Sequence, residues 1–182
     1  MPLEVTPKMR PERIIESVRA ATADVFKTML NLDVVEADAG VDPSATNMTD
    51  GVVSVIGLAG DWVGTGVLQC DADLACTLFS HLLMTPATEG VTADVLDAVA
   101  EITNMIIGAV KNDIEEELGP MGMSIPTVLF GRNFTTRNAT TQGWTTVTFH
   151  CEGSDLHIRI SLELHQGRAG RAPFSVGHAV AG

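Results

Sequence analysis

The segment that begins near Thr92 constrains the fold more than any other part of the chain. A surface helix usually has a wide polar face and a limited apolar stripe, but here the proportions are reversed until about Lys111. We therefore predict a helix that is capped by Thr92, buried on most sides and exposed along one polar seam. The apolar residues of the segment are Val95, Leu96, Val99, Ala100, Ile102, Met105, Ile106, Ile107, Ala109 and Val110.

The polar seam consists of residues that recur every three or four positions, which places them on one face of a helix. Its members are Asp97, Glu101, Asn104, Gly108 and Lys111. The carboxylate of Glu101 can pair with an ammonium group of a partner, and the carboxamide of Asn104 can orient a water molecule. Glycine costs about 1 kcal/mol relative to alanine inside a helix, and close approach of another backbone would account for Gly108. The alternative is a solvated strip on an amphipathic helix.

The order Asp97-x3-Glu101-x2-Asn104, followed downstream by Pro126, resembles the motif of the CheC/CheX/FliY family of chemotaxis phosphatases. In that family Asp or Ser, then Glu, then Asn lie on an exposed helix, with a proline further along the chain. The resemblance extends to the order of elements along residues 10–164. It implies an α+β, layered fold with a largely antiparallel sheet of about six strands and three helices.

The resemblance also implies a function, namely a phosphatase that accelerates hydrolysis of the aspartyl phosphate of a phosphorylated CheY-like response regulator, in chemotaxis or another two-component pathway. Glu101 would form a salt bridge with the regulator's phosphate-site lysine, and Asn104 would hold the attacking water. Asp97, Gly108 and Lys111 would contact the partner. Phosphoryl transfer depends on positioning and charge neutralisation, so this chain needs no cofactor of its own and Mg²⁺ is expected in the regulator. The alternative is a non-catalytic regulator-binding module or a motor-associated structural domain.

An amino-terminal segment, Glu12-x3-Glu16-x2-Arg19, has the spacing of a second copy of the motif. Arginine cannot accept a hydrogen bond from water, so this copy is either a degenerate repeat or the wet face of a surface helix. Both interpretations leave one site, which favours the CheX type. The CheX type also implies a homodimer, and we predict that it pairs through an exposed edge of the terminal hairpin, around Val147.

The composition indicates one globular domain. Of 182 residues 45% are apolar, and we place the domain at residues 11–164, between a flexible leader (1–10) and a disordered tail (165–182). No apolar run approaches the ~18 residues of a membrane span, and no secretory segment opens the chain, so we expect a cytoplasmic protein without membrane insertion. The net charge of −12 argues against non-specific nucleic-acid binding.

Periodicity and turn signals predict the other elements. A first helix covers residues 11–32, and a second, capped by Asp71, ends before Pro86. The stretch 40–47 is predicted to be a loop. The predicted strands are residues 34–37, 52–56, 62–69, 124–130, 145–151 and 156–164, with hairpins joining 52–56 to 62–69 and 145–151 to 156–164.

Overall fold

The structure is a computed structural model that describes residues 9–42, 47–135 and 143–165. These residues form three α-helices, a π-helical turn and seven strands. The helices are α1 (Pro11–Val25), which the π-helical turn Phe26–Leu30 continues, α2 (Ala72–Leu83) and α3 (Ala93–Leu118). The strands are β1 (Val35–Asp42), β2 (Asn47–Gly60), β3 (Trp62–Cys70), β4 (Met121–Met123), β5 (Thr127–Thr135), β6 (Trp144–Cys151) and β7 (Ser154–Leu164).

The seven strands form one sheet in the order β1-β6-β7-β3-β2, and both β4 and β5 pair with the far side of β2. All of these pairings are antiparallel. The predicted α+β fold with three helices is therefore confirmed. The predicted strand 124–130 is wrong in detail, because residues 124–126 separate β4 from β5. Pro126 has no backbone N–H to donate to a strand neighbour, which favours a break at that point.

The three helices cover one face of the sheet, and α3 packs against both α1 and α2. Ile56, Leu68 and Ile158 of the central strands are fully buried in the same core as Ile102 and Ile106 of α3. The helix lies very close to the sheet at Gly66, where an added Cβ would be 2.8 Å from the side chain of Ile107. A central position of α3 explains why its sequence is apolar on most sides.

The predicted helix caps and hairpins are confirmed. Asp71 accepts a hydrogen bond from the Leu74 amide at 2.7 Å, and Thr92 accepts one from the Val95 amide at 3.4 Å. β2 and β3 form the first hairpin, and β6 and β7 form the second. The β6–β7 turn contains Glu152 and Gly153, both at positive φ, as tight two-residue hairpin turns require.

The amino-terminal strand differs from its prediction. β1 continues to Asp42 and pairs with β6 along residues 144–150, and β2 begins at Asn47, so the predicted loop 40–47 is wrong for its first three residues and its last. β6 therefore lies between β1 and β7, and the predicted exposed edge of the terminal hairpin at Val147 is wrong. The sequence of β1 alternates apolar and acidic residues, but most of it is alanine, glycine, aspartate and glutamate, which are depleted in strands. Its extended conformation comes from pairing with β6.

The predicted leader and tail lie outside the described residues, apart from positions 9, 10 and 165. His165 follows β7 and its amide donates to the Asp61 carbonyl at 2.8 Å. Within the described ranges, no helix is long and apolar enough to cross a membrane.

Candidate functional site: a groove beside the polar seam

The polar seam lies along the solvent-facing side of α3. Asp97 and Glu101 are exposed, whereas Asn104, Gly108 and Lys111 are half-buried. The rest of the helix surface is largely buried, as predicted. The buried residues of α3 are Val95, Ala98, Val99, Ile102, Thr103, Ile106, Ile107, Val110, Ile114 and Leu118.

An open groove of about 360 Å³ runs beside the seam, and we call it the seam groove. One wall is α3, which contributes Asp97, Glu101 and Asn104. The other wall is the segment that follows β4 and includes Pro126. The structure therefore brings the three motif residues of α3 and the downstream proline of the motif to the same groove. Its remaining lining residues are Ala100, Met123, Ser124 and Ile125.

The proline-bearing wall is fixed to the sheet by Ser124. Its amide donates to the Gly57 carbonyl at 2.9 Å, and its hydroxyl accepts from the Gly57 amide at 2.9 Å. The same hydroxyl donates to the Ile125 carbonyl at 2.9 Å. Ile125 is 87% exposed, which gives the groove a protruding apolar rim. Ser124 and Ile125 are not part of the sequence motif, although their position directly before Pro126 was a usable signal.

Lys111 and Glu115 connect α3 to β4 below the groove. The Lys111 ammonium donates to Glu115 Oε1 at 2.7 Å, and the Met121 amide donates to the same oxygen at 2.6 Å. The Lys111 hydrogen bond, followed by that of the Met121 amide, lowers the pKa of Glu115. Lys111 is not among the groove-lining residues. Its ammonium group contacts Glu115, and the carboxylate of Glu115 joins α3 to β4.

Gly108 lies on the seam but also outside the groove lining. An added Cβ would be 3.5 Å from Met123 Cε, an ordinary van der Waals distance. The fold of this chain would therefore accept alanine at this position, whereas a long side chain would displace Met123 from the groove wall. Glycine lowers the stability of the helix at this position, and no close contact among the described residues requires it.

The side chains of Glu101 and Asn104 have no hydrogen-bond or ion-pair partner among the described residues. They differ in this from Lys111 and Glu115, which are bound to each other on the same helix. A carboxylate and a carboxamide one turn apart on a rigid helix can bind one cationic group and one water together. Within the described part of the chain, no cluster of three or more His, Cys, Asp or Glu residues could hold a metal ion.

Comparison with known proteins identifies the class of protein to which this fold and the seam groove belong. The family model described as "Chemotaxis phosphatase CheX" matches residues 52–150, which is more than half of the chain and includes the seam. This chain belongs to the CheX family of chemotaxis phosphatases. No curated protein sequence matches it.

Solved structures show the same fold at low sequence identity. The CheX protein of Vibrio vulnificus is 24% identical with a TM-score of 0.74, covering 82% of this chain and 99% of that one. CheX of Desulfovibrio desulfuricans is 22% identical with a TM-score of 0.74, over 82% and 99% of the two chains. The CheX–CheY–BeF3–Mg²⁺ complex of Borrelia burgdorferi matches at 20% identity and a TM-score of 0.67, over 82% of this chain and 97% of that one.

Proposed function

We propose that this chain accelerates hydrolysis of the aspartyl phosphate of a CheY-like response regulator at the seam groove. The observation that carries the proposal is that Glu101 and Asn104 are free of partners among the described residues, in a groove that also holds the motif proline. Membership of a chemotaxis phosphatase family supports it. The Borrelia relative, whose structure contains CheY, supports the choice of partner.

In the proposed reaction α3 docks across the regulator's phosphorylation site. The Glu101 carboxylate pairs with a lysine ammonium of the regulator, which orients the complex. The Asn104 carboxamide holds a water in line with phosphorus. The water oxygen bonds to phosphorus as the bond from phosphorus to the aspartyl oxygen breaks, which yields inorganic phosphate and a free aspartate. The metal, Mg²⁺, belongs to the regulator's acidic pocket and neutralises charge on the phosphoryl oxygens.

The other seam residues contribute the contact surface. Asp97 lies at the end of the groove nearest the helix amino terminus, and Ile125 forms its apolar rim. Gly108 lets the regulator's backbone approach the helix closely. Lys111 completes the surface at the far end, where its ammonium group is already bound to Glu115.

The test is the decay of phosphorylated regulators from the same genome, with and without the protein, together with binding to their BeF3-bound forms. Faster decay with one regulator supports the phosphatase. Binding without faster decay would replace it by a non-catalytic module, and absence of both would favour a structural role. Asn104→Ala should lose the acceleration, and Glu116→Ala is the control, because Glu116 is exposed on the same helix but is not a groove residue.

We further propose that the protein is a cytoplasmic homodimer with one site in each protomer. β1 is at the end of the sheet order opposite β4 and the groove, and it carries the exposed side chains Val35 and Val41. An unpaired strand edge offers N–H and C=O groups to a second copy, and pairing there would leave both grooves open. Sedimentation equilibrium would contradict the dimer by giving the monomer mass of 19.2 kDa.

A further inference from the structure

A second cavity, of about 350 Å³, lies among β1, β6 and β7. We call it the sheet cavity. Arg159 lines it, and the flanking Ile158 and Ile160 belong to the core beneath the helices. Successive residues of a strand point to opposite faces, so the sheet cavity is on the face away from α3 and the seam groove. The proposed phosphatase reaction uses none of its residues.

Arg159 is an incompletely satisfied cation in this cavity. Only 3% of the residue is exposed. Its Nε donates to Thr146 Oγ1 at 3.3 Å, but its Nη2 is 3.7 Å from the nearest Asp42 oxygen, beyond hydrogen-bond distance. Among the described residues Nη2 has no hydrogen-bond partner. Asp42 forms an ion pair with Arg159 across this distance but leaves Nη2 without a hydrogen bond, which is costly for a buried charged donor. Nη2 is therefore poised for a ligand that accepts hydrogen bonds.

The surroundings of Arg159 show how such a ligand would be held. Its guanidinium lies over the Trp144 ring, 5.2 Å from the ring centroid, which fixes its plane. Burial lowers the pKa of Arg159, against the opposing effect of Asp42, and the group stays cationic because arginine begins from so high a value. The cation is therefore preorganised.

The charges are divided between two walls. The strand register aligns Gly40 of β1 with Thr146 of β6, and Thr146 with Arg159 of β7. The neighbouring row aligns Asp38 with Thr148, and Thr148 with His157. One wall therefore carries Arg159 and His157, and the other carries Asp38 and Asp42. An added Cβ at Gly40 would meet nothing within 4 Å, which leaves space between the walls.

His157 does not add a second cation at neutral pH. Burial lowers its pKa, an effect that outweighs the opposing influence of Asp155 and is reinforced by Arg159. Its Nδ1 is 2.9 Å from Thr148 Oγ1. Among the described residues that line the cavity, the charged groups at neutral pH are thus one guanidinium and two carboxylates. A polyanion would be repelled by the carboxylates, and a simple cation by Arg159.

We propose that the sheet cavity binds a small zwitterion of the α-amino acid class. Its carboxylate accepts hydrogen bonds from Arg159, whose planar fork matches a carboxylate. Its ammonium group lies toward Asp38, the exposed carboxylate of the acidic wall. At about 30 Å³ for each water-sized group, the volume of about 350 Å³ accommodates roughly ten non-hydrogen atoms.

The two tryptophans of the chain provide a direct readout. In a Trp62→Phe background the remaining indole, Trp144, reports on the guanidinium next to it. This protein is titrated with L-serine, with acetate and methylamine as the two halves of a zwitterion, and with phosphate. We expect a saturable fluorescence change with L-serine, at an affinity at least ~10-fold higher than for the other three probes, because charged hydrogen bonds form at both ends.

Variants assign the response to the cavity. Arg159→Met is expected to abolish it, and Asp38→Asn to weaken L-serine binding by ~10-fold while improving acetate binding. Arg19→Met is the matched control, since Arg19 is an exposed arginine bound to Glu36. If Arg159→Met does not fold, Arg159→Lys decides, because it keeps the charge but loses the fork and should bind at least ~10-fold more weakly.

Three results would overturn the proposal. The first is the absence of a saturable response to L-serine at millimolar concentration. The second is that acetate or phosphate binds as tightly as L-serine. The third is that a folded Arg159→Met or Arg159→Lys protein binds L-serine as the wild type does. Because no response regulator is present in these titrations, their outcome is independent of the phosphatase assay.

Discussion

Helices α1 and α3 carry residue triplets of the same spacing, but the two triplets have different surroundings. The α3 triplet is Asp97, Glu101 and Asn104, and the α1 triplet is Glu12, Glu16 and Arg19. In the α3 triplet, Glu101 and Asn104 are free of partners among the described residues and face the proline-bearing wall of the seam groove. In the α1 triplet, Arg19 is bound through two nitrogens to the carboxylate of Glu36 on β1.

A second arginine of α1, Arg13, also has its ion-pair partners within the protein. Arg13 donates to Asp113 at 2.7 Å and to Glu117 at 2.6 Å, which joins α1 to the carboxyl-terminal half of α3. These are structural contacts between elements. Motif spacing on a helix is therefore insufficient for a site of the kind proposed at α3, where the polar groups must also be unpaired and must face a second wall.

The largest expected effect on activity comes from removing the Asn104 side chain of the α3 triplet. Asn104→Ala should slow regulator dephosphorylation by ~10²–10³, the scale found when one preorganised catalytic hydrogen-bonding group is removed. Because the side chain has no internal partner, the free energy of unfolding should change by less than about 0.5 kcal/mol. Decay assays and urea unfolding measure the two quantities. Undiminished activity would remove Asn104 from the mechanism, and a large loss of stability would indicate a structural role.

Glu101 tests docking rather than chemistry. Glu101→Lys should nearly abolish binding of the regulator, and Glu101→Gln should weaken it by ~10-fold, because the proposed ion pair is reversed in one case and neutralised in the other. Glu16→Lys, the same charge change at the equivalent position of the α1 triplet, is the control. Binding is measured by titration calorimetry with the BeF3-bound regulator. Equal losses at Glu16 and Glu101 would mean that net charge, and not the groove, governs docking.

Gly108 tests how closely the partner approaches α3. Gly108→Leu should weaken docking by at least ~10-fold, because the longer side chain displaces Met123 and fills the approach path. Gly108→Ala fits beside Met123 and should raise the free energy of unfolding by up to about 1 kcal/mol. Binding titrations and thermal unfolding of both variants distinguish the effects. Wild-type binding by a folded Gly108→Leu protein would show that the seam is not the docking face.

A gain-of-function attempt on α1 should fail. Arg19→Asn places the asparagine of the motif on α1, and it is combined with Asn104→Ala, which removes the asparagine of α3. The double variant should show no restored dephosphorylation, because the described structure provides no proline-bearing wall beside α1. Losing the exposed Arg19–Glu36 pair should lower stability by less than about 1 kcal/mol. The decay assay checks the first expectation and urea unfolding the second. Recovered activity would show that spacing alone makes a site.

The smallest effect concerns the ion pairs that join α1 to α3. Hydrogen bonding to Arg13 lowers the pKa of Asp113 to about 2. A carboxylate whose pKa is lowered by folding stabilises the protein above its unfolded pKa near 4, and this contribution is lost as pH falls toward about 2. Asp113 is 47% exposed, so solvent screening keeps the effect below about 1 kcal/mol.

Asp113→Asn should therefore lower the free energy of unfolding slightly at pH 6, and the difference from the wild type should shrink as pH falls toward 2. Urea unfolding at pH 6, 4 and 2.5 measures it, with Asn112→Ala as a neighbouring control. A difference that stays constant with pH would show that the ion pair with Arg13 is not its source.

The sequence by itself determined the local features of this protein. The caps at Asp71 and Thr92, the hairpin turns and the polar seam all arise from residues within a few positions of each other. At this range backbone geometry and side-chain chemistry are sufficient to define structure. The resemblance of the α3 triplet to a known motif added the family, which the family model then confirmed.

Tertiary structure alone decided which surface is enclosed and which strand is an edge. The proline-bearing wall is held by Ser124 and Gly57, which are 67 residues apart in sequence, and Arg13 reaches Asp113 across 100 residues. The pairing of β1 with β6 made the terminal hairpin internal. Such contacts depend on the arrangement of the complete sheet, because the alternation of apolar and acidic residues in β1 indicates a strand but does not identify the strand with which it pairs.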